Sequence, residues 1–214
     1  YKWITDKNGN KLNKPVDIAF VENNLNLSEH CWQSTHLQDA NSQLCINRFI
    51  AGERGDINAN VNHFLIDSLS PFIPETLTLE GAIDTNLDLQ WEKNEKPEID
   101  LSLTGDAIAL NISSDDNQQG FIRYPVEQLK LNVKTEKETT NFSLKAVSDK
   151  LVNLGFKGTV NHLSQSKPQI NADLDLAVTD FNAFSVLIPQ VDQLAGQLQA
   201  NLLIQGEVSK PNLN

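Results

Sequence analysis

Residues 83–91 read Ile-Asp-Thr-Asn-Leu-Asp-Leu-Gln-Trp. Ile83, Thr85, Leu87, Leu89 and Trp91 share one side of an extended chain, and Asp84, Asn86, Asp88 and Gln90 share the other. The period is 2 and not 3.6, so the segment is a β-strand with one apolar and one wet face. The same code runs through Ile99, Leu101 and Leu103, then Ile108, Leu110 and Ile112, then Leu129, Leu131 and Val133. It also marks Val16 to Phe20, Leu44 to Phe49, Ile57 to Val61, Phe142 to Ala146, Val152 to Val160, Ile170 to Val178 and Leu198 to Ile204. Roughly ten strands are expected, separated by turn-formers such as Lys7-Asn8-Gly9, Asp115-Asp116-Asn117 and Lys167-Pro168.

Alternation this regular argues for an antiparallel sheet, because strands of a parallel α/β sheet are apolar on both faces. Only Phe64 to Phe72 and Phe181 to Leu187 read as short helices, each ending at an Ile-Pro pair. With no helical layer, the sheet must cover itself. The expected fold is all-β, a long antiparallel sheet curled into a groove with two short helical insertions. A β-sandwich is the alternative, and periodicity alone does not choose between them.

Composition narrows the function. The 214 residues hold 17 Lys and Arg against 28 Asp and Glu, a formal charge of −11. That sign is wrong for wrapping phosphate backbones, so nucleic acid is not an expected partner. No stretch approaches the roughly 20 apolar residues of a membrane helix, and no signal-peptide series opens the chain. The chain is expected to be soluble as given. It starts at Tyr1 and contains no Met, so it is read as a segment of a longer protein, 1–214 forming one elongated unit. Cys31 and Cys45 flank a polar stretch that a hairpin could close, which favours a disulfide and an oxidising compartment; two unpaired thiols are the other reading.

An internal repeat spans about residues 57–90 and 170–205. Placing Ile73-Pro74 on Ile188-Pro189 also superimposes Ser70 on Ser185, Gly81 on Gly196, Asn86 on Asn201, Leu87 on Leu202 and Gln90 on Gln205. Upstream, Ile57-Asn58-Ala59-Asn60 is similar to Ile170-Asn171-Ala172-Asp173 once two residues are allowed for. A recurring unit of this kind suggests an extended array.

The run Leu194, Gly196, Leu198, Ala200, Leu202, Ile204, Gly206, Val208, Pro211, Leu213 resembles the recurring pattern of the TamB (translocation and assembly module) and AsmA-like proteins of Gram-negative envelopes. Leu79, Gly81, Ile83, Leu87, Leu89 and Pro97 form a looser copy, in which Gln90-Trp91 replaces the second Gly. Cys31-Trp32 with Leu44-Cys45 is similar to the cysteine pair of the same proteins. The resemblance implies a protein anchored in the inner membrane that reaches across the periplasm as a β-taco-like groove. It further implies phospholipid transport toward the outer membrane, and work with an outer-membrane barrel of the assembly-factor type through parts outside this segment.

The apolar face expected to line such a lipid groove comprises Ile83, Leu87, Leu89, Ile99, Leu101, Leu103, Ile108, Leu110, Leu129, Leu131, Val133, Leu174, Leu176, Leu198, Leu202 and Ile204, with phospholipid acyl chains as the partner. Other chemistry finds little support. There is no Gly-rich phosphate loop, nucleophile elbow or HxxxH motif, so neither an enzyme nor a cofactor is expected. His30, Cys31, His36 and Cys45 match no common zinc spacing, and no metal is expected. Asp6-Lys7-Asn8-Gly9-Asn10 lacks the closing Glu of a calcium loop and reads as a turn. Arg54-Gly55-Asp56 is an adhesion-type tripeptide of the kind that arises by chance in turns. Two further classes remain: a scaffold whose open edge receives strands of outer-membrane proteins by β-augmentation, and a β-solenoid, against which the long repeat speaks because solenoid coils recur at roughly 20–30 residues.

Overall fold

The computed structural model describes residues 10–34, 42–74, 76–93, 95–113, 121–136, 138–162, 167–182 and 195–214. The expected turns at Lys7-Asn8-Gly9 and Asp115-Asp116-Asn117 fall outside these residues, as do the calcium-like loop up to Gly9, His36, Ser185, Ile188-Pro189, Leu194 and the expected second helix beyond Asn182.

Among the described residues fifteen strands form one sheet. They are β1 (Asn10–Leu12), β2 (Ile18–Val21), β3 (Asn24–Leu27), β4 (His30–Ser34), β5 (Gln43–Ala51), β6 (Gly55–Leu65), β7 (Leu77–Trp91), β8 (Glu98–Ser113), β9 (Phe121–Pro125), β10 (Gln128–Glu136), β11 (Thr139–Ser148), β12 (Val152–Asn161), β13 (Gln169–Val178), β14 (Leu198–Glu207) and β15 (Lys210–Leu213). From β4 onward the order follows the chain, β9 excepted, and every pairing is antiparallel. On one flank β5 is paired along its first half by β4 and along its second half by β3, with β1 and β2 outermost. The far half of β8 is paired by β9 and its near half by β10.

A single sheet rules out the sandwich, and β1 and β15 do not meet, so the sheet is not a closed barrel. Surface area says the same. The chain exposes 14173 Å², whereas a compact monomer of this mass exposes about 9,900 Å². Few apolar side chains are fully buried. Among the described residues a packed nucleus forms where Ile112 of β8 meets Leu151 of the β11–β12 turn, flanked by Leu77, Leu110, Tyr124 and Val152. Leu151 thus folds over a strand two positions away, which shows the sheet curling at that end.

The alternating segments became strands as expected. Five strands lie outside the segments so marked, β1, β3, β4, β9 and β15, each three to five residues long. Residues 99–103 and 108–112, read as two segments, are one 16-residue strand. The first expected helix is a 3-10 helix over Ile66–Phe72, and Phe64 and Leu65 belong to β6. Pro71 explains this, since it lacks an N–H and disfavours the α-conformation at Ser70. The chain leaves the helix extended at Ile73, as an Ile-Pro ending requires.

Candidate functional site

In an antiparallel ladder, directly opposed residues project from the same face. The register therefore builds the apolar face row by row. One row runs Ile46, Ala59, Leu87, Leu101, Val133, Phe142, Gly158, Ala172, Ile204, Leu213. Its neighbour runs Leu12, Trp32, Leu44, Val61, Thr85, Leu103, Leu131, Leu144, Phe156, Leu174, Leu202. A shorter row on one side is Ile18, Leu27, Phe49, Ile57, Leu89, Ile99, and one on the other is Leu129, Ala146, Leu154, Leu176, Ala200. No charged residue occurs in any of them. Nine strand spacings of about 4.8 Å carry the first row roughly 43 Å across the sheet.

Three bulges keep the face continuous. Asn47 is the extra residue between Ile46 and Arg48, so the apolar phase of β5 passes from Leu44 and Ile46 to Phe49. In β6 the insertion at Asn62-His63 moves the phase from Val61 to Phe64, which then opposes Ile83. His63 adopts a φ of 51°, and its backbone N–H donates to Asp84 Oδ1 at 2.7 Å. In β8 the insertion at Ala107, with φ 51°, moves the phase from the odd positions 99–105 to Ile108, Leu110 and Ile112. Bulges bend a strand and increase its twist, which curls a sheet locally.

The opposite face is polar along its centre, with Ile50, Val147, Ala177 and Leu203 as apolar positions outside the central row. Its central row is Arg48, Asn58, Asp88, Asp100, Lys134, Asn141, Thr159, Asn171, Gln205, Asn212. Arg48 pairs with Asp56 at 2.6 Å and Asp88 at 3.6 Å, and the Asn47 amide donates to Asn58 Oδ1 and Asn60 Oδ1. On the rim, Glu138 bridges Lys96 and His162, its carboxylate 2.6 Å from His162 Nδ1. The hydrogen bond from Lys96, followed by that from His162, holds the Glu138 carboxyl below its usual range. Burial, with the Asp180 carboxylate second, pushes the Tyr124 phenol up.

Of the sixteen expected groove residues, thirteen sit half-buried on β7, β8, β10, β13 and β14, and Leu198 and Leu202 are exposed near the β14 edge at 41% and 36%. Ile108 is 7% exposed and Leu110 packs against the Ile112 nucleus, so these two belong to packed structure more than to the open face. The sixteen form two groups, and β11 and β12 join them through Phe142, Leu144, Leu154 and Phe156. These four were missed as site residues although their strands show the same period. Phe142 and Phe156 touch, ring centroids 4.9 Å apart.

Cys31 and Cys45 are directly opposed on β4 and β5 and form a disulfide. The bridge occupies two of the four groups considered for zinc. The Arg54-Gly55-Asp56 tripeptide is not a free loop: the Trp91 ring lies over Gly55, and Asp56 is held by Arg48.

An open, charge-free apolar face on one long antiparallel sheet is consistent with a groove. The family model described as TamB, N-terminal domain, matches residues 4–214, and the chain belongs to the TamB family. No solved structure matches it. No helix among the described residues is long and apolar enough to cross a membrane.

Proposed function

We propose that the apolar face conducts phospholipid acyl chains between the inner and outer membranes, in the periplasmic region of an inner-membrane-anchored protein that works with an outer-membrane barrel assembly factor. The observation that carries this reading is the pair of charge-free rows that run across the sheet while no second sheet covers them among the described residues. Moving a 16-carbon chain through water costs on the order of 10 kcal/mol at about 0.8 kcal/mol per methylene. A conduit must therefore offer apolar contact at every step, and one charged position would raise a barrier. The disulfide suits the oxidising periplasm, and the function is passage and not catalysis. Photo-crosslinkers at Leu87, Leu101 and Leu131 should capture phospholipid in envelopes, and those at Asp88, Ser102 and Asn132 should not. Equal capture from both faces would end the conduit reading.

A second reading has its own observation. β15 and Asn214 pair with β14 only from Leu203 to Glu207. The outward edge of Leu198–Leu202 has no strand against it among the described residues, a place where an extended outer-membrane segment could add by β-augmentation. Crosslinkers at Gln199 and Asn201 that capture outer-membrane proteins in preference to lipid would favour it.

A further inference from the structure

The polar face breaks a rule of sheet design at one place. Lys130 on β10 and Lys145 on β11 stand directly opposite each other, and like charges so placed repel. Lys157 lies one strand further on, opposite Ser143. None of the three has a carboxylate within ion-pair distance among the described residues, in a chain where acids outnumber bases 28 to 17. Lys134, on the same strand as Lys130, does pair, with Asp100 and Glu136. Gly155 follows Lys145 across the ladder, and a Cβ there would meet nothing nearer than Asp175 at 3.8 Å. Around Gly155 lies an open hollow of about 580 Å³, whose lining includes the three lysines together with Val147, Ala177 and Asp175. At its edge Asn153 Oδ1 is buried without a hydrogen-bond partner. Asp175, opposite Gly155, is part of that lining, and Asp173 stands opposite Lys157.

We propose that Lys130, Lys145 and Lys157 bind a phosphate-type dianion on the face opposite the apolar rows. Repulsion between unpaired ammonium groups is relieved when one doubly charged oxyanion sits among them, and lysine serves phosphate as a point charge needing no fixed fork geometry. The Lys130–Lys145 opposition breaks a local rule with no ion pair to offset it among the described residues, and such departures are expected at functional positions. Asp175 opposes the anion and restricts the site to ligands that outweigh it. Two sources share this chemistry: the phosphomonoester of a lipid headgroup and a free phosphate or pyrophosphate.

The test is a melting series on the chain at low salt with inorganic pyrophosphate, beside sedimentation with phosphatidylcholine vesicles containing phosphatidate. Pyrophosphate at tenfold its Kd should raise the melting temperature by roughly 3–5 °C. Lys145→Gln and Lys157→Gln should each weaken binding about tenfold, Asp175→Asn should strengthen it, and Lys134→Gln should leave it unchanged. Without ligand, Lys145→Gln should melt higher than the parent at low salt, because the repulsion is gone. Sedimentation that pyrophosphate competes away identifies a lipid headgroup as the source, and a pyrophosphate response without sedimentation identifies the free anion. The proposal falls if pyrophosphate and vesicles both give no response, or if the response survives in the Lys130→Gln, Lys145→Gln, Lys157→Gln triple variant.

Discussion

Gly81 of β7 lies so close to Ala107 of β8 that a Cβ on Gly81 would sit 2.7 Å from the Ala107 carbonyl oxygen, and Gly81 has a φ of 105°. Ala107 is the extra residue that shifts the apolar phase of β8, and Gly81 is what lets β7 follow it. Gly81→Ala should therefore combine backbone strain with a clash against backbone oxygen and lose about 2–4 kcal/mol, read from the urea midpoint. Gly196 also has a positive φ, 128°, but a Cβ there meets only Phe181 at 4.0 Å. Gly196→Ala should lose about half as much. Equal losses would show that the close approach of β7 and β8 contributes nothing.

That pair also shows what the sequence can and cannot display. Alternation in Ile83–Trp91 declared the strand, its polarity and its half-wet setting, because period 2 is a property of the chain itself. The bulges at Asn47, Asn62-His63 and Ala107 appear in sequence only as a change of phase, so Ile99–Leu103 and Ile108–Ile112 read as separate segments. Which phase shares a face with which depends on pairing, and pairing is long-range. The same limit hid Phe142, Leu144, Leu154 and Phe156: each is plainly alternating, but only the register places them between the two recognised groups. The lysine hollow was invisible because Lys130 and Lys145 meet only through the β10–β11 ladder.

Reduction of Cys31–Cys45 should release one flank before the rest. Among the described residues the strand partner of β1 is β4, and β4 pairs onward with β5, to which the bridge also ties it. A loop of about 15 residues closed this way is worth roughly 3 kcal/mol in the chain-entropy model. Hydrogen exchange after reduction should accelerate at Cys31 to Gln33 while the β10–β13 amides stay protected. Material exported to the periplasm should show no free thiol without reductant; full labelling of both cysteines would remove the support for an oxidising compartment.

The rim clamp at Glu138 gives a signed pH effect. Its folded pKa is lowered, chiefly by the Lys96 hydrogen bond and then by His162. A lowered carboxyl pKa means stabilisation that is present above the ordinary value of 4.5 and is lost as pH falls through the folded value. Glu138 is exposed, so the effect is small and best read by NMR titration. Lys96→Ala should move the Glu138 midpoint upward toward 4.5, and Glu138→Gln should flatten the acid limb of the stability curve. An unmoved midpoint in Lys96→Ala would show that the Lys96 contact does not exist in solution.

The apolar rows make the decisive prediction about function. Leu87, Leu101 and Leu131 are half-buried, with no second sheet against them among the described residues, so an arginine at any of the three can lie along the face and reach water with its head. Leu87→Arg, Leu101→Arg and Leu131→Arg should each leave the chain folded and soluble, at a cost of about 1 kcal/mol or less. Ile112 is different, being 3% exposed in the packed nucleus with Leu151. Ile112→Arg buries an unpaired charge and should destabilise by several kcal/mol. If the face conducts lipid, the first three variants should abolish phospholipid transport by the protein that carries this chain, because every acyl chain must pass the charge. Folded variants that transport normally would show that lipid does not travel along these rows. Unfolding of all three, to the same degree as Ile112→Arg, would show that the face is a core closed in solution by something other than lipid.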